Sequence, residues 1–325
     1  MGLKMEQDML YAYQVYLDGS FSAAADHLYM SQPALSLAIK RVEDTIGAEL
    51  FDRSHRPLTL TEAGEAYIDT LRHIRYLEED LSRRIEDLRG LQTGTLRLGG
   101  THFLNCYLLA PILSSFARKY PGVRLELYED SAVGLQDRLQ KREMDLTFSC
   151  APEIVERFEH KPAFYDHVLL AVHEDIPLPQ AVSDLSLSAE DILKRKYREP
   201  DCPKADLQHF RDVDFILLQK GNNLYDRSNQ MFREAGFTPR IKMTVAQMVT
   251  SYRLADNGLG AVFISDRLIR SRNSRLRFFK INSDHVDRLF YFLLPKRDYT
   301  PFAVRSFMDF ASVNIPHPGF YLESI

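Results

Sequence analysis

The feature that most constrains this chain is residues 20–64, where two short helix-forming segments flank a sharp turn. Ser20 or Ser22 can cap the first segment, and its alanines favour helix and allow a second helix to cross it closely. Ser31 can cap the second segment, where Pro33 occupies the first turn and its missing N–H costs nothing. With a two-stranded wing after them, these helices are expected to place one helix in the major groove of DNA.

The second helix of this stretch is predicted to have one apolar and one polar face. The apolar face is formed by Leu35, Ile39, Val42 and Ile46. These residues recur at helical spacing, and Gly47 supplies the left-handed residue that ends the helix. The opposite face carries Gln32, Pro33, Ser36, Leu37, Lys40 and Arg41. Gln32 and Ser36 can hydrogen-bond base edges, and the basic side chains beside them suit phosphates.

A two-stranded wing is predicted after this helix. Apolar runs at 49–51 and 58–60 flank a polar turn. A hairpin there would bring Arg53, His55 and Arg56 toward a phosphate or the minor groove. The alternative is a small helical bundle with ordinary caps, because helix-turn-helix pairs also occur in proteins that never bind DNA.

The same stretch resembles the amino-terminal domain of LysR-type transcriptional regulators. The matching positions are Ala24-Ala25, Ser31-Gln32-Pro33-Ala34-Leu35-Ser36, Leu50-Phe51-Asp52-Arg53 and Leu60-Thr61-Glu62-Ala63-Gly64, all in register. The resemblance implies that Gln32, Pro33 and Ser36 approach bases and that Arg53 holds the DNA backbone. The resulting set of expected DNA-binding residues is Ser31, Gln32, Pro33, Ser36, Lys40, Arg41, Arg53 and Arg56. Leu37 departs from the family, which usually has a polar side chain there, and a leucine can contact a thymine methyl or face solvent.

The charge balance of the chain is unusual for a nucleic-acid-binding protein, which commonly has a strongly basic domain. The net charge is −4, and residues 1–92 contain 10 lysines and arginines against 16 aspartates and glutamates, a balance of −6. The basic residues Lys40, Arg41, Arg53 and Arg56 nevertheless cluster on the proposed contact side. We therefore expect modest non-specific affinity for DNA that depends strongly on salt.

A long helix is predicted over residues 62–90, which contain no proline and no internal glycine after Gly64. Its apolar residues repeat near the coiled-coil heptad, at Tyr67, Leu71, Ile74, Leu81, Ile85 and Leu88. A stripe on a helix roughly 40 Å long needs a partner, and we interpret it as a dimer seam. The alternative is packing against its own domain. The family resemblance implies paired linker helices and assembly as dimers or tetramers, with a hinge at 89–94.

From residue 95 the pattern becomes an alternation of strands and helices, which indicates an α/β fold with parallel sheets flanked by helices. The predicted strands are 96–98, 123–128, 145–149, 168–172, 215–218, 241–244, 261–264, 276–279 and 287–294. The expected organisation is a winged helix-turn-helix domain (1–64), a linker helix (65–92) and a two-lobed effector domain (93–325). Lobe I is placed at about 93–166 and 268–325, and lobe II at about 167–267. Similarity to the family's effector domain implies an architecture of the periplasmic solute-binding type.

Candidate ligand-binding residues follow the predicted strands, since ligands of open α/β sheets bind beyond the carboxyl ends of strands. These residues are Thr101, His102, Ser149, Gln219 and Asn222, which match positions that line the family's inducer pocket. Their hydroxyl, amide and backbone donors would suit a small carboxylate or another anion. The alternative for each side chain is helix capping or local loop bonding.

Several classes of protein are disfavoured by the sequence. No apolar run approaches the roughly 20 residues that span a bilayer, and the amino terminus lacks the apolar segment of a secretory signal. Cys106, Cys150 and Cys202 are scattered, so a disulfide framework or zinc site is not expected, and all three are predicted to be small core residues in a cytoplasmic protein. We find no nucleophile elbow, phosphate loop or metal-ligand cluster, so neither a cofactor nor catalysis is expected.

These observations predict a sequence-specific transcriptional regulator whose operator binding responds to a small-molecule effector. Its expected partners are double-stranded DNA, the effector and further copies of itself. The rival hypothesis is a small-molecule-binding or enzymatic α/β protein with a helical dimerisation appendage, for which the sequence contains no catalytic constellation.

Overall fold

The computed structural model describes residues 7–54, 58–89, 92–297 and 299–315. The chain divides into two units, Met1–Leu91 and Gln92–Ile325, which correspond to the helical segment and to the α/β segment of the sequence. Among the described residues, no helix is long and apolar enough to cross a membrane.

Unit 1 contains four helices and a small wing. The helices are α1 (Gln7–Asp18), α2 (Phe21–His27), α3 (Gln32–Ile46) and α4 (Glu62–Leu88), and the wing strands are β1 (Phe51–Asp52) and β2 (Thr59–Leu60). The strands pair antiparallel, with Phe51 opposite Leu60. Small alanines of α1 and α2 are buried with Leu35 and Ile39 of α3 in one core. The close helix crossing expected from the alanines is therefore present.

The helix boundaries of unit 1 follow from local hydrogen bonds. Ser20, Ser31 and Thr61 each accept a hydrogen bond from a backbone N–H in the first turn of the helix that follows. Gly47 ends α3 in the left-handed conformation with a φ of 79°, where a side chain would be strained. A Cβ atom on Gly64 would lie 1.9 Å from the carbonyl oxygen of Leu50, so the start of α4 can approach the wing only with glycine there.

The apolar stripe of α4 is divided between two environments. Its amino-terminal half supplies Ile68 and Leu71 to the core of unit 1. Its carboxy-terminal half carries Leu77, Leu81, Ile85 and Leu88, which are 66%, 42%, 41% and 79% exposed. Packing within its own unit therefore accounts for the first half of the stripe, and for the second half, whose apolar side chains face outward, the dimer seam stays a prediction.

Unit 2 is built from nine strands and a set of mostly short helices in the described residues. The strands are β3 (Gly94–Gly100), β4 (Val123–Glu129), β5 (Thr147–Ser149), β6 (Glu159–His173), β7 (Asp214–Leu218), β8 (Arg240–Val245), β9 (Val262–Ser265), β10 (Leu276–Phe279) and β11 (Asp287–Leu294). The helices are α5 (His102–Leu104), α6 (Ala110–Lys119), α7 (Ala132–Gln140), α8 (Pro152–Val155), α9 (Gln180–Ser183), α10 (Ala189–Leu193), α11 (Asn223–Glu234), α12 (Met248–Asp256) and α13 (Phe302–Asn314). A π-helical segment, Asn105–Leu109, joins α5 to α6.

The strands of unit 2 form two lobes that share β6. In lobe I, β3 pairs parallel with β4, Leu98 bridges Leu146 in parallel beside β5, and β11 pairs antiparallel with β5 and with the first half of β6. In lobe II, β7 pairs parallel with β8, while β9 and β10 pair antiparallel with the second half of β6. The parallel pairings predicted from the strand–helix alternation are confirmed.

The sequence prediction for β6 was too short. A strand was predicted at 168–172, whereas β6 begins at Glu159. The first residues of β6 are polar and largely exposed, and they include Pro162, so they lack the apolar pattern by which strands are recognised. Their pairing partner is β11, more than a hundred residues later, and no local sequence pattern reports such a pairing.

The prediction that all three cysteines are core residues was wrong for one of them. Cys150 and Cys202 are buried, but Cys106 is exposed on the π-helical segment. Asn105 and Leu108 of the same segment are buried, so Cys106 lies on the outer side of this segment.

Candidate nucleic-acid interface and interlobe cavity

Helix α3 presents its polar flank to solvent. Leu35, Ala38, Ile39 and Val42 are buried beneath it. Of the predicted DNA-binding residues, Ser31, Gln32, Pro33, Lys40 and Arg41 are exposed and Ser36 is half-buried. Nε2 of Gln32 donates a hydrogen bond to Oγ of Ser36 at 2.8 Å, which holds these two side chains together on one face. Leu37 lies beside them and is 61% exposed.

Arg53 is held in place by a buried acid that the sequence reasoning missed. Oε2 of Glu43 accepts a hydrogen bond from Nη2 of Arg53 at 3.2 Å, and its Oε1 accepts one from the backbone N–H of Leu50 at 2.9 Å. The Arg53 guanidinium also lies 4.8 Å from the ring centre of Phe21. Glu43 therefore ties α3 to the wing, while the Arg53 side chain remains 51% exposed. The sequence did contain a signal for this contact, because Glu43 is a carboxylate next to Val42, one of the apolar positions of an amphipathic helix.

The second predicted wing residue, Arg56, lies outside the described residues, as does His55. The described part of the interface therefore consists of the cap and polar flank of α3 together with Arg53.

Unit 2 contains a cavity of about 380 Å³ between its lobes. The lining residues are Thr101, Phe103, Leu104, Asp130, Ser131, Ala132, Val133, Phe148, Ser149, Cys150, Gln219, Lys220, Gly221, Asn222, Asn223, Ala246, Gln247, Met248, Arg288 and Phe290. Four predicted effector residues, Thr101, Ser149, Gln219 and Asn222, are thus brought together. They come from the carboxyl ends of β3 and β5 in lobe I and of β7 in lobe II, the strand ends beyond which ligands of open α/β sheets are expected.

His102 is not among the lining residues. Its Nδ1 lies 3.2 Å from Oε1 of Glu129, and its Nε2 lies 3.8 Å from Sγ of Cys106. The side chain of His102 is engaged locally, as the alternative interpretation allowed.

Some of the predicted side chains also make local bonds. Oγ of Ser149 accepts a hydrogen bond from the N–H of Ala151 at 3.2 Å, and Oδ1 of Asn222 accepts one from the N–H of Leu224 at 3.0 Å. Thr101 makes no such capping bond to the helix that follows it. A residue can therefore both cap a helix and line this cavity, because the same residues follow strands and begin helices.

Three helices of eight or more residues begin at the cavity wall. Ser131, Asn222 and Gln247 are the residues at which α7, α11 and α12 begin, and all three line the cavity. Helix amino termini carry partial positive charge and free N–H groups. Asp130, which also lines the cavity, accepts the N–H of Ser131 and offsets this charge at α7, so the starts of α11 and α12 are the termini that suit an anion.

One cavity-lining residue, Arg288, belongs to a buried ion pair that the sequence reasoning also missed. Arg288 on β11 is 3% exposed and donates hydrogen bonds from Nε, at 2.8 Å, and from Nη2 to Oδ2 of Asp166 on β6. The other oxygen of Asp166 accepts a hydrogen bond from Oγ of Ser265. Close by, burial and the neighbouring Asp166 raise the pKa of Asp266, whose carboxylate accepts a hydrogen bond from the Tyr197 hydroxyl. The sequence did contain a signal for this pair, because Asp166 and Arg288 are opposite charges that each lie in a strand rich in apolar residues.

Cys150 links the two lobes at the cavity. Its Sγ donates a hydrogen bond to Oδ1 of Asn223 at 3.1 Å, and Nε of Arg227 donates to the same oxygen at 3.0 Å. Burial raises the pKa of the Cys150 thiol, so it stays protonated and acts as a donor. Within the described residues, no group of three or more histidines, cysteines or acids is arranged to hold a metal ion.

Comparison with known families agrees with this architecture. Residues 7–65 match the model described as bacterial regulatory helix-turn-helix protein, lysR family. Residues 89–196 and 192–313 match the model of the LysR substrate binding domain. The chain belongs to the LysR family of transcriptional regulators. It is a LysR-type DNA-binding transcriptional regulator with an effector-binding domain, and its family consists of regulators rather than enzymes.

Individual relatives extend over most of this LysR-type regulator. It is 29% identical over 301 residues to the HTH-type transcriptional regulator YcgK of Bacillus subtilis (strain 168), covering 93% of this chain and 92% of that protein. It is 30% identical over 267 residues to a probable RuBisCO transcriptional regulator of Cyanidioschyzon merolae (strain NIES-3377 / 10D), covering 79% and 80%.

Solved structures show the same fold. The crystal structure of full-length CbnR complexed with its target DNA aligns with a TM-score of 0.61 and 21% identity, covering 94% of this chain and 99% of that one. A full-length OxyR variant from Pseudomonas aeruginosa gives a TM-score of 0.61 and 17% identity, covering 95% and 96%. The predicted fold class, a winged helix-turn-helix followed by an effector-binding α/β domain, is confirmed.

Proposed function

We propose that this regulator reads its operator with the polar flank of α3 and holds the DNA backbone with the wing. The proposed contact residues are Ser31, Gln32, Pro33, Ser36, Lys40, Arg41, Arg53 and Arg56. The observation that carries the proposal is the exposure of this flank above the buried Leu35, Ile39 and Val42; of the predicted apolar face only Ile46, at the end of the helix, is exposed. Gln32 and Ser36 suit base edges, and the basic residues suit phosphates.

The proposed division of labour follows the predicted boundaries, with one change in lobe I. Residues 1–64 bind DNA, the linker predicted at 65–92 contains most of α4 (Glu62–Leu88), and residues 93–325 bind the effector. The predicted lobe I was about 93–166 and 268–325 and the predicted lobe II about 167–267, but β10 (Leu276–Phe279) pairs with the lobe II half of β6, so the second segment of lobe I begins after β10. Binding of a small molecule in the interlobe cavity favours one arrangement of the lobes, and differential affinity for the two arrangements shifts the equilibrium between them. The cavity binds this molecule without turning it over, and the protein acts in the cytoplasm.

The proposed assembly is a homo-oligomer, a dimer or a tetramer, paired through the carboxy-terminal half of α4. Leu77, Leu81, Ile85 and Leu88 offer apolar side chains on one helix. Full burial of an exposed leucine contributes about 1.5–3 kcal/mol, so each of these partly exposed side chains would contribute less. Pairing of α4 would space two DNA-reading helices for the two halves of a palindromic site. CbnR, a protein with the same fold, has been crystallised with its target DNA.

A footprint and gel shift on the DNA upstream of the regulator's own gene test the proposal. We expect a protected site at low salt that weakens steeply as salt rises, because phosphate contacts release counterions. The triple variant Gln32→Ala, Ser36→Ala, Arg53→Gln should abolish protection of this DNA site. Arg211→Gln, which removes one exposed charge in unit 2, is the matched control and should leave it unchanged. Folded protein that protects no site, or that turns over a cavity ligand without DNA affinity, would contradict the proposal.

A further inference from the structure

The guanidinium of Arg288 is only partly used by the protein. Its Nε and Nη2 both donate to Asp166, and Nη1 has no hydrogen-bond partner in the part of the chain that the structure describes. Arg288 lines the interlobe cavity, and its Nη1 is not completely buried. A nearly buried cation therefore keeps one donor nitrogen for the cavity.

The remaining cavity wall is mainly apolar. Phe103, Leu104, Val133, Phe148, Met248 and Phe290 line it, so a bound molecule would bury an apolar body as well as any polar group. The exposed Lys220 lies at the same cavity, but water screens its charge more than that of a buried arginine.

The geometry points to Arg288 as the residue that recognises the effector, and to a small organic acid as the effector's chemical class. The carboxylate accepts a hydrogen bond from Nη1 of Arg288, and the apolar body packs against the phenylalanines. This inference rests on the proposed function of the cavity and adds to it the recognising residue. A ligand without an acceptor oxygen would leave Nη1 unsatisfied, which is costly at a desolvated site, and a carboxylate binds the guanidinium more strongly than a neutral carbonyl does because its hydrogen bond is charge-assisted.

The same contact reaches both lobes. Arg288 lies on β11, its partner Asp166 lies on β6, and Asp166 also accepts a hydrogen bond from Ser265 at the end of β9 in lobe II. An incoming carboxylate competes with Asp166 for the charge of Arg288. Asp166 is therefore the residue through which anion binding changes the link to lobe II.

Competition between Asp166 and the ligand gives a test with opposite signs. In Asp166→Asn, the buried Arg288 loses its internal counter-ion but keeps an acceptor oxygen of similar shape. Anion affinity should then rise by about tenfold, because the ligand's carboxylate no longer competes with the carboxylate of Asp166 for the charge of Arg288. In the double variant Asp166→Asn, Arg288→Met, both charges are gone, no buried carboxylate is stranded, and anion affinity should fall at least tenfold below that of the original protein. A purely structural role would lower affinity in both.

The probes are benzoate, its neutral analogue benzamide and inorganic phosphate, each titrated into the full chain at constant ionic strength. Ligand-dependent stabilisation against heat gives the dissociation constant. We expect benzoate to stabilise the original protein, and to stabilise Asp166→Asn more strongly. Benzamide, whose neutral carbonyl can also accept from Nη1, should bind more weakly than benzoate and gain nothing in Asp166→Asn, and phosphate should bind more weakly than benzoate. Lys220→Gln removes an exposed charge at the same cavity and should change benzoate affinity less than threefold.

The inference is overturned if benzoate stabilises neither the original protein nor Asp166→Asn at about 20 mM, near the weakest affinity expected for so small a ligand. It is also overturned if the double variant retains benzoate binding, if benzamide follows the same order, or if Lys220→Gln loses more affinity than the double variant. Stronger binding of phosphate than of benzoate would overturn the organic-acid class.

Failure of this inference and failure of the proposed function are distinguishable. The operator footprint of the double variant without any ligand should match that of the original protein, since neither substitution lies in unit 1. A protein that protects its operator but ignores benzoate refutes only the inference. A protein that binds benzoate through Arg288 but protects no DNA refutes only the proposed regulator function.

Discussion

Replacement of Glu43 should destabilise unit 1 mainly through one backbone group. In Glu43→Ala the N–H of the buried Leu50 loses its acceptor at 2.9 Å, and an unsatisfied buried donor costs about 1–3 kcal/mol. Loss of the ion pair with Arg53 adds at most about 1 kcal/mol, because the Arg53 side chain is 51% exposed and screened by water. We therefore expect a loss of about 1–4 kcal/mol in the free energy of unfolding.

Glu43→Gln separates the two contributions. The amide keeps an oxygen that can accept from Leu50 N–H and loses only the charge, so the expected loss is about 1 kcal/mol. Urea unfolding followed by far-ultraviolet circular dichroism measures the free energy, and hydrogen exchange of the Leu50 amide reports the local bond. A double-mutant cycle with Arg53→Gln should give a coupling energy of about 1 kcal/mol or less.

Two results would refute this reasoning. If Glu43→Gln is as destabilising as Glu43→Ala, the charge and not the acceptor oxygen holds the wing. If the Leu50 amide exchanges equally slowly in Glu43→Ala and in the original protein, the hydrogen bond to Glu43 contributes nothing to the wing.

Three further predictions concern DNA binding, assembly and thiol chemistry. Arg53→Gln should weaken operator and non-operator DNA alike and reduce the slope of log affinity against log salt by about 1; an unchanged slope in filter-binding titrations would contradict a phosphate contact. Leu81→Glu should raise the dimer dissociation constant by at least tenfold with little effect on monomer stability, because Leu81 is 42% exposed in the single chain; unchanged sedimentation would place the seam elsewhere. Iodoacetamide should label the exposed Cys106 in the native protein and reach the buried Cys150 and Cys202 only after unfolding, as intact-mass measurement would show; equal labelling of all three would contradict this burial.

Unit 1 could be predicted closely from the sequence because its determinants are local. Serine and threonine caps, Gly47 and the spacing of the apolar residues act within a few positions of one another. Glu43 escaped notice because its partners, Leu50 and Arg53, belong to the wing and not to its own helix.

Unit 2 could be predicted in its parallel parts and less well where strands from distant segments meet. Thr101, Ser149, Gln219 and Asn222 could be placed near one another, at what is the interlobe cavity, because each ends or follows a recognisable strand. Arg288 and Asp166 were not, since their pairing depends on β6 and β11 lying side by side. Long-range antiparallel pairing is a tertiary property, which the alternation of single strands does not encode.

The exposed flank of α3 is the central claim, and methylation of guanine N7 by dimethyl sulfate tests it most directly because N7 faces the major groove. We predict protection of guanines within the footprinted half-sites by the original protein, and loss of that protection when Gln32 and Ser36 are both replaced by alanine. Unprotected N7 atoms inside a clear footprint, or protection that persists in the double variant, would contradict entry of this helix into the major groove.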